Sequence, residues 1–105
     1  MTNFVLLYSG GGDAPATEAE QAAVMEAWGA WFGRLGEAVV DGGNPFTNVK
    51  SIASDASVSD GPVGSMSSGY SVIQADSLDA AVEMAKGCPV LASGGQVSVY
   101  ETMRM

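Results

Sequence analysis

The sequence predicts an α+β fold: one antiparallel sheet with two helices packed on the same face. Three stretches carry that prediction. Residues 4–8 (F-V-L-L-Y) form an unbroken apolar run, as expected of a central strand covered on both sides. Residues 69–89 begin with Tyr70, Val72 and Ile73, which suit a buried pleated strand, and then change to helical spacing at Leu78, Ala81, Val82 and Ala85. Near the end, Val97, Val99, Glu101 and Met103 alternate with Ser98, Tyr100 and Thr102, so the last strand has two distinct faces.

In chain order, the first strand is followed by Ser9-Gly10-Gly11-Gly12-Asp13. This loop sits where a phosphate-binding loop would, but it lacks the Gly-Lys-Ser/Thr ending and has Pro15 where a dinucleotide fingerprint needs glycine. It reads as a flexible connector. A helix then starts at Thr17, where Thr-Glu-Ala-Glu forms a capping box, and runs to about Leu35 with Met25, Trp28, Phe32 and Leu35 on one stripe. Val24 and Trp31 widen the stripe, and Gly36 is the expected C-terminal cap. Gly29 and Gly33 interrupt the helix, each at a cost of about 1 kcal/mol relative to alanine. Their expected use is close approach to the sheet or to another chain, or else room for a ligand.

Residues 37–41 (E-A-V-V-D) are too short to stand alone, and 42–46 (G-G-N-P-F) read as a turn. Residues 48–58 suggest a short strand or an edge hairpin. The Gly- and Ser-rich residues 60–69 form the most irregular stretch, of a kind that often borders sites. The second helix is capped by Asp76 or Ser77 and ended by Lys86, a left-handed Gly87 and Pro89. Residues 90–96 read as a loop. The order strand, helix, strand or hairpin, strand, helix, strand is that of a ferredoxin-like sandwich in a single domain, residues 1–105. Two helices on one face leave the other face bare, with alternate residues of the run at 4–7 exposed on it. That patch predicts a homodimer.

Composition closes several function classes. Twelve acidic residues face four scattered basic ones, Arg34, Lys50, Lys86 and Arg104, for a net charge of −8. No cluster exists to displace counterions, so neither nucleic acid nor an anionic membrane is an expected partner. The chain has no histidine and one cysteine, Cys88, so an intrachain disulfide is impossible and the commonest zinc ligand and neutral-pH base are missing. No metal or cofactor is expected. The opening residues carry no basic flank, and their apolar run is too short for a signal peptide or a membrane span, which makes the cytoplasm the default location.

The candidate chemistry is correspondingly spare. Asp41, Asp60 and Glu101 are carboxylates at strand or turn positions, and one of them in an apolar cleft could act as a general base; Asp41 is the catalytic candidate. Against this, surface acids outnumber functional ones. Trp28 and Trp31 could wall a pocket for a planar ligand, with Tyr70 and Asp60 beside them, although aromatics at helical spacing are more often core. Tyr8, Tyr70 and Tyr100 could point hydroxyls into a dimer cleft or simply pack. Cys88 lacks a histidine or cationic cluster to lower its pKa and reads as structural.

Taken together, F-V-L-L-Y-S-G-G, W-G-A-W-F-G-R-L-G-E-A-V-V-D-G-G-N-P, Asp60-Gly61-Pro62, the run at 69–89 and V-S-V-Y-E-T-M resemble the YCII-related family, including its DGPF-type and YciI-like members. The resemblance spans nearly the whole chain and implies a ferredoxin-like fold assembled as a dimeric α/β barrel. It also implies a histidine on the first helix paired with an aspartate for acid–base work. Here the chain departs, since it has no histidine and Trp28 lies near that position; Val63 likewise stands where the DGPF motif has Phe. Two readings follow: a cofactor-free enzyme or binder of a small, largely apolar molecule in a cleft of each protomer, lined by Trp28, Tyr70 and Asp41, or a non-catalytic dimeric module that binds a protein through its outer face or residues 60–69.

Overall fold

A computed structural model describes residues 1–10 and 17–103. Most of the glycine-rich connector with Pro15, and Arg104, lie outside the described residues. The chain runs β1 (Thr2–Ser9), α1 (Glu18–Leu35), a short 3-10 turn (Gly36–Ala38), β2 (Val39–Asp41), β3 (Lys50–Ile52), β4 (Val58–Asp60), β5 (Gly69–Ala75), α2 (Leu78–Ala85), α3 (Pro89–Ala92) and β6 (Gln96–Glu101). The main sheet has the order β2-β5-β1-β6, with every pairing antiparallel. This order fits the ferredoxin-like arrangement, with β1 at the centre.

Strand parity separates the two faces. Phe4, Leu6 and Tyr8 of β1 are buried beside Ser71, Ile73 and Ala75 of β5, and this face meets the helices. Trp31 from α1 and Ala81 and Ala85 from α2 complete the core. Burying Phe4, Leu6, Ile73 and Trp31 stabilises the fold by about 1.5–3 kcal/mol per side chain, before the entropy cost of ordering them. On the opposite face, Val5, Leu7, Tyr70 and Val72 are half-buried, and among the described residues no layer covers them. The bare sheet face expected from the pattern is therefore present. The chain measures 44 × 40 × 19 Å, a slab one sheet and one helix layer thick.

Local chemistry fixes the helix ends. Thr17 caps α1 by accepting the Glu20 amide at 3.1 Å, and Ser77 caps α2 by accepting the Ala80 amide at 3.1 Å. Gly36 ends α1 with φ of 56°. Gly87 does not take a left-handed conformation; its contribution is space, because a Cβ there would stand 3.2 Å from Cδ1 of Trp31. Nor do Gly29 and Gly33 lie against the sheet, since a Cβ at either would meet nothing within 4 Å. Met25 of the expected apolar stripe is exposed, and the buried positions of α2 are its alanines.

Two connections differ from the sequence reading. Residues 90–96 are not all loop: Pro89 starts the short α3, with the Leu91 amide donating to the Cys88 carbonyl. Residues 48–58 contribute the first strand of a hairpin separate from the main sheet, with Lys50, Ser51 and Ile52 opposite Asp60, Ser59 and Val58. This hairpin is an arm that continues the β2 and β5 chains beyond the end of the sheet. Its root is bound by the Pro45–Gly69 bridge and by the Phe46 amide donating to the Ser68 carbonyl at 2.8 Å.

Where β2 meets the arm the backbone is tightly constrained. Gly43 has φ of 74°, and a Cβ there would overlap the Tyr70 carbonyl. Gly43→Ala is expected to cost about 2–4 kcal/mol, combining a disfavoured φ with a backbone clash. Urea unfolding of the variant beside Gly29→Ala, which has open space, measures the difference; equal stabilities would refute this account of the turn.

Candidate functional site

The structure divides the sequence-predicted residues between the two faces of the sheet. On the helix face, Tyr8, Trp28, Trp31 and Phe32 form one aromatic cluster. Trp28 meets Tyr8 edge-on at 5.2 Å and Trp31 at 5.7 Å between ring centroids, and Phe32 lies 5.1 Å from Trp31. Trp31 is 1% exposed, and its indole Nε1–H donates to the Met84 carbonyl at 3.0 Å, tying α1 to α2. The space between sheet and helices around Trp28 is thus filled by side chains. Trp28 keeps an outer edge, which lines a surface groove with Ala27, Arg34, Gly87 and Leu91.

A buried hydrogen-bond chain leaves this cluster. The Tyr8 hydroxyl donates to Ser71 Oγ at 2.7 Å, and Ser71 donates to the Gly42 carbonyl at 2.7 Å. Burial pushes the Tyr8 phenol up to about 12, with neighbouring Cys88 adding to the rise, and burial also raises the Cys88 thiol. Both groups are thereby held neutral in a dry, packed site. Cys88 in its thiol form is a poor nucleophile.

On the other side of the sheet lies a cleft of about 670 Å³ at the root of the arm. Phe46, Val49, Pro62, Val63 and Met66 supply apolar surface, while Ser51, Ser65, Ser67 and Lys50 supply polar groups. Two chain segments about twenty residues apart, one entering and one leaving the arm, bring these together. Tyr70 stacks on Phe46 at 5.8 Å with rings 16° from parallel, so the cleft continues onto the bare sheet face. Asp60 is outside the lining and reaches it only through its ion pair to Lys50 at 3.1 Å, with its side chain 91% exposed. Such an exposed pair contributes little stability.

Asp41 stands at the end of β2, exposed, with its carboxylate accepting the Gly43 amide at 2.8 Å. That bond shapes the turn described above. Trp28 and Tyr70, expected to share one cleft with Asp41, lie on opposite faces of the sheet, because Tyr70 alternates with the helix-side Gly69 and Ser71. Phe46 and Met66 were not singled out by sequence; the Gly/Ser-rich run at 60–69 was the available signal. Among the described residues, no group of three or more Asp, Glu or Cys side chains is placed to hold a metal ion. Among the same residues, no helix is long and apolar enough to cross a membrane.

An α+β sandwich with one bare sheet face and a cleft beside it defines the structural class. The YCII-related domain family matches residues 4–105, and the chain belongs to that family. No curated protein matches it.

The raised Tyr8 and Cys88 values set a pH dependence. Both acids are harder to ionise folded than unfolded, so their contribution is complete below the unfolded values, 9.0 for the thiol and 10.0 for the phenol, and is lost as pH rises. Stability is expected to be level through neutral pH and to fall between about 9 and 12, with Tyr8→Phe flattening the fall. Urea midpoints across this range, with tyrosinate absorbance followed in parallel, test it; a native Tyr8 that ionises at 10 contradicts it.

Proposed function

We propose that the protein is a homodimeric binding module for a small, largely apolar molecule, held in the arm-root cleft of each protomer. The cleft carries this reading. Its volume of about 670 Å³ falls in the range of small-molecule sites, and it combines an apolar lining with a few hydroxyls able to orient a polar handle. Tyr70 and Asp60 each touch one lining residue, Phe46 and Lys50 respectively. Asp41 and Trp28 serve a turn and the core.

Binding is favoured over catalysis by the surroundings of the acids. Asp41 and Asp60 both face water, Asp41 bonded to the Gly43 amide and Asp60 paired to Lys50, and neither sits in an apolar pocket beside a reacting group. The bare face supports the dimer reading, since its Val5, Leu7, Val72 and Tyr100 suit contact with a second copy.

N-phenyl-1-naphthylamine, an uncharged apolar fluorophore, suits a cleft in a chain of net charge −8. Saturable fluorescence enhancement is expected, weakened tenfold or more by Met66→Asp and unchanged by Val82→Asp on α2. Absence of saturable binding, or equal loss in both variants, would overturn the reading.

A further inference from the structure

Among the described residues, the arm, residues 50–60, forms its strand ladder with itself. Ile52 stands opposite Val58, yet these side chains are 69% and 61% exposed. An isolated two-stranded hairpin is marginal in water, and among the described residues nothing covers this apolar cross-strand pair. Its tip is nonetheless shaped: the Ala53 amide donates to the Ser57 carbonyl, and the Ala56 amide donates to the Ala53 carbonyl.

The exposed area indicates what covers it. The chain exposes 7286 Å², whereas a compact monomer of 10.7 kDa exposes about 5,500 Å². Its radius of gyration is 15.2 Å, against roughly 13 Å for a globular domain of this length. The surplus is roughly 1,800 Å² per chain, and two copies that buried it would remove about 3,600 Å², within the range of obligate homodimers. Four strands at about 4.8 Å spacing and eight residues at about 3.3 Å give a sheet face of only roughly 500 Å². Most of the surplus therefore lies beyond the sheet face. The arm, joined to that face through the Phe46–Tyr70 stack and carrying the exposed Ile52 and Val58, contributes to it.

We infer that the arm of each protomer lies antiparallel to its counterpart across the dimer axis, so that its Ile52–Val58 pair covers the arm-root cleft of the other copy. A two-fold interface requires a surface that contains its own complement. The arm meets this requirement, since a convex tip of small residues and a concave apolar root sit on one segment. The inference rests on the dimer proposed above and deepens it. The cleft is complete only when the partner's arm closes it.

The test uses full-length chains with two different tags. Protomers carrying Ile52→Cys are mixed with protomers carrying Met66→Cys, exchanged, and treated with a short bis-maleimide; wild-type chains, whose Cys88 is buried, give the background. A heterodimeric cross-link above background is expected, and Ile52→Ser/Val58→Ser should weaken dimerisation in sedimentation equilibrium by tenfold or more. If wild type sediments as a monomer at micromolar concentration, the underlying dimer reading fails. If it sediments as a dimer that neither cross-links nor responds to the double substitution, the arm exchange alone is overturned.

Discussion

Tyr8 joins the two layers of this protein. Its ring packs edge-on against Trp28, while its hydroxyl passes through Ser71 to the carbonyl of Gly42. One residue of the central strand thus sets the spacing of α1 above the sheet and fixes the turn that leaves β2. Because the hydroxyl and both indoles are bulky, α1 is held off by aromatic rings, and Trp31 reaches across to bond the end of α2. The polar atoms of this core are satisfied: among the described residues no buried side-chain nitrogen or oxygen lacks a hydrogen-bond partner. Around Trp28 this layer is packed by rings, and its opening is the surface groove lined by Trp28, Arg34 and Leu91; the arm-root cleft lies elsewhere, beside Phe46.

On the other face of the sheet the physics is reversed. A strand has two faces by geometry, and a small chain has only enough helix to cover one. Val5, Leu7 and Val72 remain at the surface because Phe4, Leu6 and Ile73, their sequence neighbours, are buried. The same economy applies to the arm, whose Ile52–Val58 pair stays exposed among the described residues.

The parts of the fold that were legible in the sequence are those set by local rules. β1, β5 and β6 follow from alternation, α1 and α2 from helical spacing, and Thr17, Ser77 and Gly36 from cap chemistry. The parts that were not legible depend on neighbours distant in sequence. Gly87 looks like a cap glycine because conformation and space leave the same residue, and only the position of Trp31 decides between them. Four residues of α3 carry no periodicity to read. Trp28 and Tyr70 were grouped by residue type, although strand parity places Tyr70 opposite the helix layer. The arm-root cleft is made by two segments that come together only after the hairpin forms, so Phe46 and Met66 had no local signal beyond a glycine- and serine-rich run.

In the proposed dimer, the fold is finished by a second copy of itself. Thermal unfolding followed by far-UV circular dichroism over a hundredfold range of protein concentration tests this most directly, because a protein whose core is completed by association melts at a temperature that rises with concentration. A transition that shifts upward by several degrees across that range is the predicted result. A sharp, reversible transition at one temperature throughout would contradict the account.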